Sequence, residues 1–145
     1  MIYKIEKLEN DIKNKEYTYM PKQSGVYRVL NLGKVPITLL PFSTNTSIKP
    51  YPISDLQERY NKLGENAVLY IGKGKNLFKR IKQYIKFGLN VDNNHKGGRS
   101  IFQIKEYKEL YVEIILCENC ESVEKNMLLG YKNQYDVLPF ANRKK

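Results

Sequence analysis

The chain has 145 residues, with 25 Lys or Arg against 15 Asp or Glu, so its formal net charge is +10. This length predicts one domain over 1–145 with one core, and an apolar share of 41% argues against a wholly disordered chain. The sequence shows neither an apolar stretch that would span a bilayer nor a secretory signal, so we expect a cytoplasmic protein. The charge favours a polyanionic partner. Nucleic acid ranks before an anionic membrane surface, because no basic amphipathic helix carries bulky apolar anchors.

The N-terminal part of the sequence predicts a helix and two strands. Apolar residues recur at spacings of three and four over 2–14, which predicts an amphipathic helix within an N-terminal extension of residues 1–20. The runs GVYRVL (25–30) and VPITLL (35–40) contain β-branched side chains and predict two strands.

An inserted loop and helix are predicted over 41–64. Three prolines and a lack of periodicity predict a loop over 41–52. Ser54 is the expected N-cap of the following helix, with Gln57 as its capping-box partner, and Gly64 is expected just after the helix ends. Within this insert, residues 41–63 could form a dimer surface, a DNA-reading element or neither.

The rest of the chain alternates strands and helices. AVLYIG (67–72) is almost wholly apolar and predicts a central, buried strand. Asn76 is the expected N-cap of the next helix, which ends at Gly88, and LYVEIILC (110–117) predicts a further strand. A last helix is predicted over about 121–134. This order of elements predicts a mixed α/β (α+β) domain with a small sheet.

Positive charge is concentrated in one part of the chain. Many small proteins are basic for solubility alone, but a solvated face more often mixes both signs. Residues 67–91 contain no acid. The cations in that segment are Lys73, Lys75, Lys79, Arg80, Lys82 and Lys86. Their distribution favours nucleic-acid binding over a general solubility effect.

Two cysteines form a single CxxC at Cys117 and Cys120. A zinc site normally needs two further Cys or His ligands, and the chain offers only His95. The strand and helix pattern of a thioredoxin-like redox CxxC is absent from the sequence. We therefore expect two reduced thiols.

The only histidine, His95, lies in the loop sequence H-K-G-G-R. A single loop histidine is usually incidental. Here two glycines stand between Lys96 and Arg99 and would let backbone amides approach a phosphate closely. DNA contact, or a secondary catalytic role for His95, is the alternative hypothesis.

Two short words on separate predicted strands resemble the signature of the GIY-YIG nucleases. Gly-Val-Tyr occupies 25–27 and Tyr-Ile-Gly occupies 70–72. Arg80 follows Tyr70 by ten residues, as in this family. Tyr84 follows Arg80 by four residues, where the family carries His or Tyr.

Two later positions extend this resemblance. Glu124 lies in E-K-N-M-L-L on the last predicted helix and is similar to the family's E-x-x-L-I, and Asn142 in L-P-F-A-N resembles its closing Asn. The resemblance therefore runs from about Ser24 to Asn142. It implies a small, mostly antiparallel sheet of about three strands flanked by helices.

The resemblance implies a metal-dependent endonuclease that hydrolyses phosphodiester bonds in DNA. Glu124 would hold one Mg²⁺ or Mn²⁺, and no small-molecule cofactor is expected. Tyr70 would be the general base, oriented by a hydrogen bond with Tyr27. Arg80 would bind two phosphate oxygens. Tyr84 lies one helical turn later on the same helix face and would point at the same phosphate.

The other implied residues contact phosphate or position the site. Lys73, directly after the second signature word, would contact phosphate and lower the pKa of a nearby phenol. Asn142 would position neighbouring groups. The residues that we expect to bind nucleic acid are Lys73, Lys75, Lys79, Arg80, Lys82, His95, Lys96 and Arg99.

Two departures from the family bear on specificity. The segment between the signature words, 28–69, is much longer than the family's connector, and nothing in the sequence resembles an appended DNA-reading module. The alternatives are therefore a catalytically silent nucleic-acid-binding domain and a subunit of a larger DNA-processing complex. A homodimer or a partner subunit would be a source of specificity.

Overall fold

The computed structural model describes residues 1–63, 66–91 and 98–143. Its strands are β1 (Ile2–Lys4), β2 (Gly25–Leu30), β3 (Val68–Gly74) and β4 (Tyr111–Leu116). They form one antiparallel sheet in the order β1-β4-β2-β3. This confirms the predicted mixed α/β class with a small antiparallel sheet, although the sheet has four strands and not about three.

Four helices accompany the sheet in the described ranges. They are α1 (Ile5–Lys13), α2 (Ile53–Leu63), α3 (Leu77–Gly88) and α4 (Cys120–Tyr135). Two short 3₁₀ turns, Arg99–Gln103 and Tyr107–Glu109, precede β4. None of the helices described here is long and apolar enough to cross a membrane.

The chain begins with a strand, so the helix predicted over 2–14 is wrong at its start. β1 pairs with β4 in antiparallel register, with Ile2 opposite Glu113. The helix starts only at Ile5, whose backbone N donates to the carbonyl of Leu110 at 2.8 Å. Pairing with a strand far away in the sequence overrides the helical periodicity of the first residues.

The strand predicted over 35–40 does not form. Only Leu39 makes a bridge, with Ile104. The side chain of Asn31 holds Val35 in a turn by accepting from its N and donating to its O, both at 3.1 Å. Because β2 already has β3 on one side and β4 on the other, no sheet edge is free beside it.

The helix of the insert starts earlier than its capping pattern predicts. Ser54 lies within the first turn of α2 and is not its N-cap, which also removes the expected capping box. The backbone N–H groups of Asp55 and Leu56 donate to the carbonyl of Pro52 at 3.1 and 3.2 Å, so the helix starts directly after this proline. The predicted stop at Gly64 lies outside the described residues.

The two strands that carry the signature words form and lie side by side. β3 is nevertheless an edge strand, so the prediction of a central strand over 67–72 is wrong. β2 is central, and its Tyr27 lies opposite Gly72 of β3 and Ile114 of β4. The cap predicted for α3 is also confirmed, because the side chain of Asn76 accepts a hydrogen bond from the N of Lys79 at 3.1 Å.

Helices cover the sheet on both faces. α1 and α3 pack with the larger core on one face. α4 packs on the other face, where Val26 and Ile71 contact Leu128. The segment after α4 returns along β3, and the N of Ala141 donates to the carbonyl of Leu69 at 2.8 Å. This return places the C-terminal residues beside the Tyr-Ile-Gly strand.

Candidate active site

Three tyrosines that the resemblance singles out form one cluster. Tyr27 of β2, Tyr70 of β3 and Tyr84 of α3 are 0%, 6% and 0% exposed. The ring centroids of Tyr27 lie 5.9 Å from Tyr70 and 5.8 Å from Tyr84. Tyr70 and Tyr84 stack with centroids 5.9 Å apart and planes at 15°. β2, β3 and α3 thus bring together phenols from three distant parts of the chain.

Gly72 makes room for this cluster. A Cβ on Gly72 would lie 2.6 Å from Cζ and 2.7 Å from Oη of Tyr27, and 2.8 Å from Cε2 of Tyr70. These are distances at which a neighbouring group must move. The glycine of the Tyr-Ile-Gly word therefore lets the Tyr27 ring lie directly over β3.

The phenols of Tyr27 and Tyr70 are hydrogen-bonded to each other. Burial is the largest influence on Tyr70 and raises its pKa to about 12, against a lowering by Arg80 and a further increase from Glu124. Burial is also the largest influence on Tyr27 and Tyr84, and it raises the pKa of each phenol well above the usual range.

Glu124 forms an ion pair with Lys73. Its Oε1 lies 3.3 Å from Nζ of Lys73, with the two side chains 18% and 41% exposed. Lys73 lies opposite Val26, which packs under α4, so this pair is on the α4 face of the sheet. The tyrosines are on the opposite face, next to α3.

The Lys73–Glu124 pair and the tyrosine cluster approach each other around the end of β3. Gly74 ends this strand, and a Cβ there would lie 2.8 Å from Cβ of Arg80, so the arginine crosses the strand end closely. Nη1 of Arg80 donates to Oε1 of Gln83 at 3.4 Å, which orients the guanidinium along α3. Arg80 and Glu124 both act electrostatically on Tyr70, consistent with one shared site.

Asn142 binds the backbone of β3. Its Oδ1 accepts from the N of Ile71 and its Nδ2 donates to the carbonyl of Ile71, each at 2.9 Å. The carbonyl of Asn142 accepts in turn from Nη1 of Arg59 on α2 at 3.3 Å. Asn142 therefore connects the insert helix to the strand that carries Tyr70.

The lysines predicted to bind nucleic acid line the start of α3 and the turn before it. Lys75 and Lys79 are exposed, whereas Lys82 is half-buried. Nζ of Lys82 lies 5.5 Å from the ring centroid of Phe78, and Nζ of Lys22 lies 5.6 Å from it. An aromatic ring between cations at this surface suits contact with both bases and phosphates.

The predicted contacts of the 91–99 loop are only partly described. Arg99 lies with its Cζ 4.5 Å from the ring centroid of Tyr51 and donates through Nη2 to the carbonyl of Lys49. It therefore contacts the insert. His95 and Lys96 lie outside the described residues.

Gly98 has a contact that the sequence did not reveal. A Cβ on Gly98 would lie 1.9 Å from Cε1 of Tyr84, so this glycine permits close packing on the tyrosine cluster. Phe102 covers the same ring, with centroids 5.3 Å apart. In the sequence, the only indication of close packing at this loop is its two adjacent glycines. From the sequence we interpreted them as allowing a phosphate to approach the backbone.

A divalent ion would have one carboxylate to bind in this site. Among the described residues, no group of three His, Cys, Asp or Glu side chains could hold a metal ion. Glu124 is 18% exposed, so solvent reaches its carboxylate, which is paired with Lys73. A single carboxylate fits a hard cation such as Mg²⁺, which keeps most of its water ligands.

Comparisons with known protein families, with curated proteins and with solved structures found no match to this chain.

Proposed function

We propose that the chain is a divalent-metal-dependent endonuclease that hydrolyses phosphodiester bonds in DNA, in the manner of the GIY-YIG nucleases. One observation carries this proposal. A hydrogen-bonded Tyr27–Tyr70 pair and the guanidinium of Arg80 lie on one face of the sheet, and the carboxylate of Glu124 with Lys73 lies on the other, around the same strand end. Phosphodiester hydrolysis needs a base, positive charge at the phosphate and a carboxylate for an ion, and these residues supply such a set.

In this proposal Tyr70 is the general base. The positive charge of Arg80 and the hydrogen bond with Tyr27 favour its phenolate. Burial acts in the opposite direction and is larger, so its pKa is about 12 in the free protein. Tyr70 therefore needs further positive charge nearby before it can take a proton from water at neutral pH.

Arg80 and Lys73 are the cations that would contact the phosphate. A guanidinium can donate to two phosphate oxygens at once, and Arg80 is oriented by Gln83 at the strand end. Lys73 is bound to Glu124 in the free protein. A phosphate at this position would compete with the carboxylate for the ammonium and so bring positive charge closer to Tyr70.

Glu124 is the residue that would hold the metal ion. A divalent ion bound there would supply positive charge to the phosphate and to the water that attacks it. Asn142 would fix the backbone of β3 between Tyr70 and Gly72, which keeps the base in place. Lys75 and Lys79 would hold the DNA strand that leads to the site.

Cleavage of supercoiled plasmid in Mg²⁺, Mn²⁺ or EDTA tests the proposal. We expect metal-dependent nicking that falls at least about 100-fold in Glu124→Gln, because the charge of a bound ion stabilises the transition state by several kcal/mol. Glu121→Gln, an exposed position in the first turn of the same helix, is the matched control and should cut like the original protein.

A catalytically silent nucleic-acid-binding domain is the second candidate. The excess of positive charge on α3 favours it, because that charge needs no catalytic group to be useful. No cutting of plasmid, branched or modified DNA by the original protein, with equal DNA binding by Glu124→Gln, would establish this second candidate. It would also end the nuclease proposal.

A further inference from the structure

Phe78, in the first turn of α3, is held by the segment that precedes β2. The ring centroid of Tyr17 lies 4.9 Å from that of Phe78, and the Tyr17 hydroxyl donates to the carbonyl of Phe78 at 3.1 Å. Tyr17 is 3% exposed, so this contact belongs to the core. The N of Leu77 donates to the carbonyl of Gln23 at 3.0 Å, which ties the same segment to α3 at a second point. The Phe78 ring therefore has a fixed position beside residues 17–23.

Two lysines from distant parts of the chain place their ammonium groups against this ring. Nζ of Lys22 lies 5.6 Å from the ring centroid of Phe78, and Nζ of Lys82 lies 5.5 Å from it. Neither lysine forms an ion pair within the described part of the chain. An aromatic ring attracts an ammonium group and so positions it, but the ring is uncharged and does not neutralise it. Both charges therefore remain available to an anion from outside the chain.

Lys7 provides a contrast in the same part of the chain. Its Nζ lies 5.2 Å from the ring centroid of Tyr19, and it also pairs with Oδ2 of Asp11 at 2.9 Å. The charge of Lys7 is therefore balanced by the chain itself. Contact with a ring does not prevent a lysine from pairing with an acid, so the lack of an acid at Phe78 is a separate feature of that surface.

Positive charge continues around α3 from this ring to the candidate active site. At about 100° per residue, Lys79 lies about 100° from Arg80 around the helix and about 60° from Lys82, so it stands between them. Lys79 is exposed, and it has no ion pair among the described residues either. Residues 67–91 contain no acid. A strand of nucleic acid with a phosphate at Arg80 would therefore meet further cations across the outer face of α3.

We propose that Lys22, Phe78 and Lys82 form a binding site for the phosphate backbone of DNA, outside the phosphodiester that is cleaved. Each lysine would contact a backbone phosphate, and Phe78 would hold both ammonium groups in place before DNA binds. A helix with its side chains is about 10–12 Å across, so these phosphates differ from the one at Arg80. The identity of the partner as DNA rests on the proposed function, whereas the unbalanced charge does not.

An anionic membrane fits this surface less well than DNA does. Peripheral membrane binding normally combines positive charge with bulky apolar side chains that enter the lipid. Among the described residues, none of the exposed large apolar side chains lies on α3. The surface therefore has the charge for a polyanion and lacks the anchors for a bilayer.

The salt dependence of DNA binding in EDTA tests this inference without any cleavage. The slope of log affinity against log salt concentration reports how many phosphates the protein neutralises. We expect Lys22→Met and Lys82→Met each to reduce this slope by about 0.9 for a short fluorescent duplex. Each variant should then lose about 3.5-fold less affinity than the original protein between about 50 and 200 mM salt. Two duplexes of unrelated sequence should give the same change, because backbone contacts do not read bases.

Two further variants control for charge and position. Lys7→Met removes the same charge from a lysine that Asp11 already balances, and it should keep the original slope. Lys22→Arg retains a cation at the ring and should also keep the original slope. Lys22 is exposed, so its variants should keep the original melting temperature. An original slope in either Lys22→Met or Lys82→Met, or an equal change in Lys7→Met, overturns the inference.

Two other measurements separate this inference from its alternatives. Loss of binding to phosphatidylserine vesicles in Lys22→Met and Lys82→Met, with unchanged DNA slopes, would overturn it in favour of a membrane surface. Metal-dependent plasmid cutting by a protein whose variants keep the original slope would reject this site and retain the nuclease. A reduced slope in a protein that cuts neither plasmid nor branched nor modified DNA would retain the site and reject the nuclease.

Discussion

The side-chain amide of Asn142 pairs with both backbone groups of Ile71, accepting from its N and donating to its O at 2.9 Å each. An amide in this position takes the place of a neighbouring strand. Ile71 stands between Tyr70 and Gly72 on the edge strand β3, so this contact holds the edge of the sheet directly beside the tyrosine cluster. A residue near the C-terminus thus supports the geometry of a strand in the middle of the chain.

Asn142→Ala should therefore destabilise the fold. It leaves the buried N–H and C=O of Ile71 unpaired, at about 1–3 kcal/mol for each group that water does not reach. We expect a lower urea midpoint in unfolding followed by circular dichroism. Asn61→Ala, in an exposed pair with Gln57, is the control and should change the midpoint little. Equal midpoints for both variants would contradict this role of Asn142.

Gly72→Ala should disrupt the tyrosine cluster. The added Cβ would lie within 2.8 Å of both the Tyr27 and Tyr70 rings, and such overpacking costs about 1–3 kcal/mol. Gly33→Ala is the matched control, because its Cβ would lie 3.8 Å from Cγ1 of Val35, an ordinary contact. We expect a lower melting temperature and altered tyrosine near-ultraviolet circular dichroism in Gly72→Ala alone. An unaltered spectrum would show that the cluster tolerates the methyl group.

The elements that the sequence predicts well are those with local signals. The β-branched run of β2, the apolar run of β3 and the Asn76 cap of α3 each depend on residues a few positions apart. The short strand at Ile2–Lys4 has no such signal, because it forms only by pairing with β4. The strand predicted over 35–40 shows the converse, since its composition suits a strand but the neighbouring β2 is already paired on both sides.

The candidate site also has one part that local sequence predicts and another part that depends on tertiary structure. Its residue types are visible in the sequence, because their spacing resembles a family signature. The hydrogen bond between Tyr27 and Tyr70, and the burial that raises the pKa of Tyr70, arise from the packing of three distant elements. The contact of Gly98 with Tyr84 also depends on tertiary structure, so the sequence could indicate only that the loop requires small residues.

Lys73→Met should increase the affinity of the free protein for a divalent ion. The Lys73 ammonium competes for the Glu124 carboxylate at 3.3 Å. Because both side chains are partly exposed, the pair contributes about 0.2–1 kcal/mol, so we expect Mn²⁺ to bind up to about fivefold more tightly. Titration of Mn²⁺ followed by electron paramagnetic resonance measures this without any cleavage.

The control for that experiment is Lys62→Met, which removes a lysine paired with Glu58 at the same distance of 3.3 Å on α2. It should leave Mn²⁺ binding unchanged, and Glu124→Gln should abolish it. Weaker Mn²⁺ binding by Lys73→Met would mean that the lysine supports the metal site and does not compete with the ion.

Tyr70→Phe should make the protein less sensitive to alkaline pH. The pKa of Tyr70 is about 12 in the folded protein, above the value of about 10 in an unfolded chain. Its contribution to stability is therefore fully present below pH 10 and is lost as the pH rises through 12, at about 1.4 kcal/mol per pH unit between these values. The ring is 6% exposed, so little of this difference is screened by solvent.

Urea unfolding at pH values across that window should give a shallower loss of free energy of unfolding in Tyr70→Phe. Tyr135→Phe, at a 41% exposed position, should retain the original slope, and a Tyr70→Phe slope equal to it would show that Tyr70 ionises as readily folded as unfolded.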